Sequence, residues 1–455
     1  MIINNEKIQQ ALDYQPKKIE LQEILEKSKK LQRLSMQDVA VLLNTTDAAG
    51  IKEILQTANW VKNEIYGNRL VIFAPLYISN LCNNDCAYCA FRCTNTNIAR
   101  KALSQEEITK ETLALLKTGQ KRVLLVAGES YPKEGLDYVL KAIDTVYAAR
   151  DGKNNIRRLN VNLAPLEVSD FKRLKEHDIG TFQLFQETYH EETYMKLHLK
   201  GPKRDYNYRL TAIDRAFEAG IDDIGIGVLF GLYDYKYEVL ALISHIEHLE
   251  NKFGLGPHTI SVPRLEPAEG SEIASTPPYP VSDDDFKKMI AILRLAVPYT
   301  GLILSTRETA ETRSEALDYG ISQISAGSKT NPGGYSDVDS MEQFSLGDHR
   351  NLDEVIYDVC VHGYIPSFCT GCYRSGRTGL DFMEYAKPGD IKKKCSPNAI
   401  ITFQEYLEDY ASPKTKIIGE KTIAKALLAL PDEKILEYTK KSIQKIKDGQ
   451  RDIFC

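Results

Sequence analysis

Seven of the nine cysteines in this 455-residue chain fall in two tight groups. The first reads Leu81-Cys82-Asn83-Asn84-Asp85-Cys86-Ala87-Tyr88-Cys89, a Cys-x3-Cys-x2-Cys spacing with Cys93 just beyond. Thiolates are soft ligands suited to zinc and to iron–sulfur clusters. Three of them in one short loop can hold three irons of a cubane and leave the fourth iron open to chelate a small molecule. The second group is Cys369-x2-Cys372-x22-Cys395, again a trio without an obvious fourth thiol. Zinc is the alternative at both places. Structural zinc takes four ligands, with Cys93 completing the first set and His362 the second. Cys93, Cys360 and Cys455 otherwise have no assigned role.

These groups need elements to carry them. Residues 1–68 read as helical, with apolar residues at helical spacing in Lys18–Leu31 and candidate N-caps at Ser35 and Asp47. From 69 to 345 short β-rich runs alternate with longer helical stretches. The strand candidates span 70–78, 122–127, 158–163, 181–186, 223–229, 259–264, 302–306 and 323–326. Helical candidates include 104–118, 134–149, 205–219, 235–251 and 282–295. Eight strands alternating with helices suggest an α/β fold, a TIM-type (β/α)8 barrel. An open doubly wound sheet is the alternative. Polar and glycine-rich residues follow most strands, as they would at the C-terminal mouth of a barrel. Residues 346–455 read as mostly helical, with helices near 351–362, 419–430 and 432–447 and Pro431 at a helix start.

Composition narrows the classes. Hydrophobic residues make up 43% and charged residues 27%, which excludes a disordered or fibrous chain. The net charge of −5 provides no global basic field for nucleic acid or an anionic membrane. No apolar run reaches the ~20 residues of a membrane span, and Met1–Gln10 has no secretory apolar core. An odd cysteine count is not a secreted disulfide framework. The expectation is a cytoplasmic protein with no nucleic-acid or membrane partner.

The Cys-x3-Cys-x2-Cys loop, with an aromatic residue (Tyr88) before the third cysteine, resembles the radical S-adenosylmethionine (SAM) superfamily. The resemblance implies a 4Fe–4S cluster on Cys82, Cys86 and Cys89. Its open iron would bind the amino and carboxylate groups of SAM. One electron passed into the sulfonium would release a 5′-deoxyadenosyl radical that abstracts a hydrogen atom. The difficult chemistry is the cofactor's, and the protein orients it. Gly128-Glu129, closing the second strand candidate, resembles the superfamily's glycine–glutamate motif at the SAM amino group. Glu187 in Gln183–Tyr189, together with Arg209, would pair with the two ends of SAM's amino-acid part. An ordinary surface salt bridge is the alternative for each.

The two trios together, with Gly376–Met383 (GRTGLDFM) and Ser396–Ala411, resemble the HydG family, tyrosine lyases that mature FeFe hydrogenases. The barrel also resembles the thiamine-pathway ThiH family at Gln186–His190, Leu304–Glu308 and Ser325–Gly334, but that family lacks the C-terminal trio. The resemblance implies hydrogen abstraction from the amino group of L-tyrosine and Cα–Cβ cleavage to p-cresol and dehydroglycine. Carbon monoxide and cyanide would then form at an auxiliary 4Fe–4S cluster on Cys369, Cys372 and Cys395. That cluster would carry an extra iron held through a free cysteine. His258, at the start of strand six, would bind the extra iron, since imidazole suits iron; a satisfied buried histidine is the alternative. A guanidinium grips a carboxylate with two parallel bonds, which makes Arg307 the first choice for the tyrosine carboxylate and Arg313 the reserve. Ser305 ends strand seven beside Arg307 as a further site candidate, and Ser325 at strand eight would hydrogen-bond the amino acid. Other hydrogenase maturases and an electron donor such as ferredoxin or flavodoxin are the implied partners. The rival readings are a ThiH-type 2-iminoacetate synthase, a different radical SAM enzyme such as one making a thioether, and a non-catalytic iron–sulfur or zinc protein.

Overall fold

The computed structural model describes residues 2–336, 342–430 and 432–454. Pro431 and Cys455 lie outside the described residues. Eight parallel strands run β1 Arg69–Ser79, β2 Arg122–Ala127, β3 Arg158–Asn162, β4 Phe182–Glu187, β5 Ile224–Val228, β6 Thr259–Ser261, β7 Gly301–Leu304 and β8 Gln323–Ser325. Each pairs with the next, and β1 pairs with both β2 and β8, so the sheet closes into a barrel. An open sheet is thereby excluded. Every residue of β1 is buried, as expected for a parallel strand covered on both faces.

Local chemistry sets the helix starts that flank the barrel. Ser104 Oγ accepts from the Glu107 N–H at 3.2 Å, while Glu107 accepts from the Ser104 N–H at 2.8 Å, a reciprocal cap on helix Gln105–Thr118. The expected helix over 205–219 is two short ones, Tyr206–Leu210 and Ala212–Glu218, meeting at Thr211.

β1 is longer than its neighbours, and its length has a consequence. Residues Ala74–Ser79 pair with β2, but Arg69–Val71 extend below the start of β2. A ninth strand, β9 Ile365–Ser367, fills that free edge in parallel. Cys369 follows two residues later, so the second cysteine group is delivered to the barrel bottom. The first group follows the other end of the same strand, at the top.

Four helices precede β1, and the last, Ala48–Tyr66, packs on helices Asp283–Ala296 and Ala310–Tyr319. After β9, the long helix Lys392–Asp409 carries Cys395 and packs against Pro413–Leu428 and Glu433–Lys447. Pro397 sits inside it and would ordinarily argue against a helix. It falls early enough that most of the helical ladder lies beyond it.

Candidate active site

The loop after β1 is held in shape by one side chain. The Arg100 guanidinium donates to four backbone carbonyls, Asn80 (3.0 Å), Phe91 (2.7 Å), Arg92 (2.5 Å) and Asn95 (3.0 Å). A planar fork with five donors is suited to such a hub. Behind the loop, Cys86 bridges to His198 in antiparallel fashion, and the Ala87 N–H donates to the Leu197 carbonyl at 2.9 Å. The His198 Nδ1–H donates to the Tyr194 carbonyl at 2.8 Å, which leaves Nε2 to accept from the Tyr88 hydroxyl at 2.8 Å. Burial lowers His198 to about 3, so the ring is neutral.

Cys82, Cys86 and Cys89 are free thiols that line one cavity at the barrel top. Burial pushes Cys82 up to about 11 and raises the other two. Gly128, Glu129, Glu187, Arg209, Ser305, Arg307 and Ser325 share that cavity. Three soft sulfurs from one loop, beside paired charges of both signs, fit a 4Fe–4S cluster and a zwitterionic ligand. Cys93 does not line the cavity; its N–H is tied to the Asn84 carbonyl at 2.9 Å.

The charged part is a four-member network. Arg209 donates to Glu129 at 2.9 Å and lies 3.5 Å from Glu187; Lys203 lies 2.7 Å from Glu187 and 3.5 Å from Glu129. Burial opposes the Glu129 charge, but Arg209 and Lys203 outweigh it and lower the carboxyl to about 2. Asn84 Nδ2 also donates to Glu129, at 3.0 Å. Glu187 reaches the network through local distortion. The β4–β5 register slips between Phe185 and Glu187, and Glu187 has φ of 71°. A bulge re-aims a side chain, and a left-handed non-glycine residue costs about 1–3 kcal/mol, strain of the kind stored at functional sites.

The two candidate arginines differ. The Arg307 guanidinium faces the cavity, stacks 3.2 Å from the Phe344 ring centroid, and has no hydrogen bond or ion pair among the described residues. Arg313 does not line the cavity. Its guanidinium donates to the Asp348 carboxylate and the Ser325 carbonyl. The structure therefore does not bring the reserve candidate Arg313 to the cavity, and its charge is already neutralised by a buried carboxylate. The Ser325 hydroxyl accepts from the Thr306 N–H at 3.2 Å.

At the barrel bottom Cys369, Cys372, Cys395 and His258 line a second, smaller cavity with Arg69 and Arg122. Arg122 donates to the Cys369 carbonyl at 3.0 Å. A hydrogen bond from Cys395, with Arg377 nearby, lowers the Cys372 thiol below its ordinary value. His258 Nδ1 lies 3.4 Å from Asp223, and its ring stacks on Phe382 at 4.3 Å. Three thiols with cationic arginines beside them fit a second anionic cluster. His362 is elsewhere, with Nδ1 at 2.9 Å from the Asp358 carbonyl and its side chain 44% exposed. Cys360 is buried in the core, and burial pushes its thiol up to about 12.

Sequence reasoning missed Lys203, His198 and Arg100. Lys203 had a usable signal: from Thr193 to Arg204 the chain has four lysines and arginines and no acid, just ahead of Arg209. Arg100 had none, because its role is contact with backbone carbonyls, and His198 had none, because its side-chain partner Tyr88 lies 110 residues away in the chain.

Residues 76–245 match the family model of the radical SAM superfamily, and residues 261–365 match the biotin and thiamin synthesis associated domain. The chain is 34% identical over 345 residues to the 2-iminoacetate synthase of Escherichia coli, covering 75% of this chain and 89% of that one. A crystal structure of HydG, a maturase of the FeFe hydrogenase, matches over 100% of both chains with a TM-score of 0.97 and 50% identity. HydG from Carboxydothermus hydrogenoformans matches over 94% of each with a TM-score of 0.82 and 41% identity. Among the described residues no helix is long and apolar enough to cross a membrane. The chain belongs to the radical SAM superfamily and is an enzyme of its tyrosine-lyase branch, the group that joins HydG to 2-iminoacetate synthase.

Proposed function

We propose that this enzyme cleaves the Cα–Cβ bond of L-tyrosine to p-cresol and dehydroglycine, and then yields carbon monoxide and cyanide for hydrogenase H-cluster assembly. The observation that carries the reading is the single cavity that joins the three-cysteine loop, the four-charge network and the Arg307 guanidinium, which has no ion pair among the described residues. Cys82, Cys86 and Cys89 would hold a 4Fe–4S cluster, which would supply an electron for the cleavage of SAM. Tyr88 braces the loop through His198. Glu129, Glu187, Arg209 and the Gly128 backbone hold the amino and carboxylate groups of SAM, with Lys203 balancing the carboxylates. Arg307 grips the tyrosine carboxylate, and Ser305 and Ser325 orient its amino group within the same cavity.

Cys369, Cys372 and Cys395 would hold an auxiliary 4Fe–4S cluster, and His258 would supply a ligand to an extra iron beside it. Residues 346–455 form the domain that carries this site, 69–345 the barrel and 1–68 a helical extension. The other hydrogenase maturases and a ferredoxin or flavodoxin are its partners, in the cytoplasm. The 50% identity to a HydG structure and the presence of both trios support this over a 2-iminoacetate synthase role. The test is anaerobic: reconstitute with iron and sulfide, add SAM, reductant and tyrosine, and measure p-cresol, then cyanide and carbon monoxide. All three products are expected. No p-cresol overturns the lyase reading, and p-cresol alone supports the 2-iminoacetate synthase role.

A further inference from the structure

We infer that Leu199, Lys200 and Arg204 form the docking surface for a small acidic one-electron carrier protein, directly behind the first cysteine loop. The inference rests on the reading that this loop holds a redox cluster. Leu199 is a large apolar residue left 53% exposed, with Lys200 and Arg204 exposed beside it. Its backbone is joined to the cysteine loop. The Leu199 N–H donates to the Asp85 carbonyl at 2.9 Å, and the Asp85 N–H donates to the Lys200 carbonyl at 2.9 Å. Cys86 and His198 are bridge partners. The surface residue and the cysteine are thus separated by one ladder of hydrogen bonds.

Charge selects the occupant. The whole chain carries a net charge of −5, yet Thr193–Arg204 contains Lys196, Lys200, Lys203 and Arg204 and no acid. Lys203 turns inward to Glu187, and Lys196 is paired with Glu192, which leaves Lys200 and Arg204 as the outward cations of this stretch; Arg204 donates to the Leu199 carbonyl at 3.0 Å, and the exposed Asp205 that follows accepts from the Tyr208 N–H at 2.8 Å as a helix cap. The nearest acid of the cysteine loop, Asp85, is buried and accepts from Thr94 at 2.6 Å. A local cationic rim around an apolar centre steers an acidic partner and fixes its register. In the transfer the carrier is oxidised by one electron and the cluster is reduced by one; no bond forms between the proteins.

The experiment uses reconstituted enzyme, a reduced flavodoxin of net negative charge as probe, and two readouts. Binding is measured by titration at low and high salt, and cluster reduction is followed by EPR after mixing with either flavodoxin or dithionite. Lys200→Glu and Leu199→Ser should each weaken flavodoxin binding on the order of ten-fold and slow its electron transfer equally. Reduction by dithionite, which needs no docking, should be unchanged. Lys445→Glu on the last helix should change neither. Raising the salt should weaken the parent's binding and narrow its gap from Lys200→Glu. Unchanged flavodoxin binding in both variants overturns the proposal. Equal loss with dithionite also overturns it, by showing damage to the loop rather than to docking. Neither readout requires tyrosine cleavage, so failure of the lyase reading would be seen separately.

Discussion

Gly128 lies so close beneath Leu81 that a methyl group in place of its hydrogen would stand 2.2 Å from the Leu81 carbonyl oxygen. The end of β2 and the first cysteine loop are therefore in backbone contact, which the Gly128 N–H to Ser79 carbonyl bond at 2.8 Å reinforces. Backbone cannot swing aside as a flexible side chain can. Gly128→Ala should push the loop away from Glu129 and reduce p-cresol formation by about 100-fold, the order expected for a displacement near 1 Å. Iron at the second trio should be unaffected. A rate within two-fold of the parent would show that the contact does not position the loop.

Arg307 and Arg313 should respond in opposite ways. Arg313 is buried against Asp348, so Arg313→Met leaves a buried carboxylate and should cost about 3 kcal/mol of stability. Arg350, 2.7 Å from the same carboxylate, keeps the cost at the low end. Arg307→Met removes a desolvated charge with no ion pair among the described residues. It should leave the melting temperature level or higher while raising the tyrosine requirement more than ten-fold and the SAM requirement little. Equal effects on the two ligands would count against the carboxylate role.

Glu238 gives a pH signature. It lies under the turn after Glu187, accepting from the Thr188 hydroxyl and, at 2.8 Å, from the Tyr189 N–H. Burial pushes its carboxyl from the ordinary 4.5 up to about 8, against those hydrogen bonds. Between about 4.5 and 8 the folded chain holds a proton that the unfolded chain has released. Its contribution to stability is full below that window and is lost as pH rises through it. Glu238→Gln removes this dependence. Melting curves from pH 5 to 8.5 should show the variant gaining on the parent as pH rises. A constant difference would mean the group does not titrate there.

A strap crosses the second cysteine site. Asp452 pairs with Arg374 at 2.6 and 2.9 Å and with Arg157 Nε at 3.1 Å. Phe454 packs against Gly371, between Cys369 and Cys372, and under the Arg374 guanidinium at 4.5 Å. Asp452→Asn should loosen the strap and speed chelator removal of iron from the second trio about ten-fold, at an unchanged rate for the first. Equal rates at the second trio in variant and parent would show that the strap does not shield it.

What was legible in the sequence was set by locality. The two cysteine spacings, Gly128-Glu129 and the eight-strand alternation are short-range patterns that the sequence carries openly. Arg307 and Arg313 are equally plain as charges, but only Asp348, 35 residues on, decides which is free. Lys203 acquires its role because a turn faces it inward toward Glu187 across the cavity mouth. β9 is three residues long and exists because β1 overhangs its neighbour, a property of the closed sheet. The helix through Pro397 is an override of local preference by packing against the last two helices.

We propose a division of labour between the two ends of β1, with tyrosine cleaved above and small ligands formed below. Its most direct measurement is product analysis of the variant with Cys369, Cys372 and Cys395 all changed to serine, reconstituted anaerobically and supplied with SAM, reductant and tyrosine. p-Cresol is expected at a rate close to the parent's, with carbon monoxide lost. Carbon monoxide at the parent's yield, or p-cresol lost along with it while the first cluster and SAM binding remain intact, would contradict this division of labour.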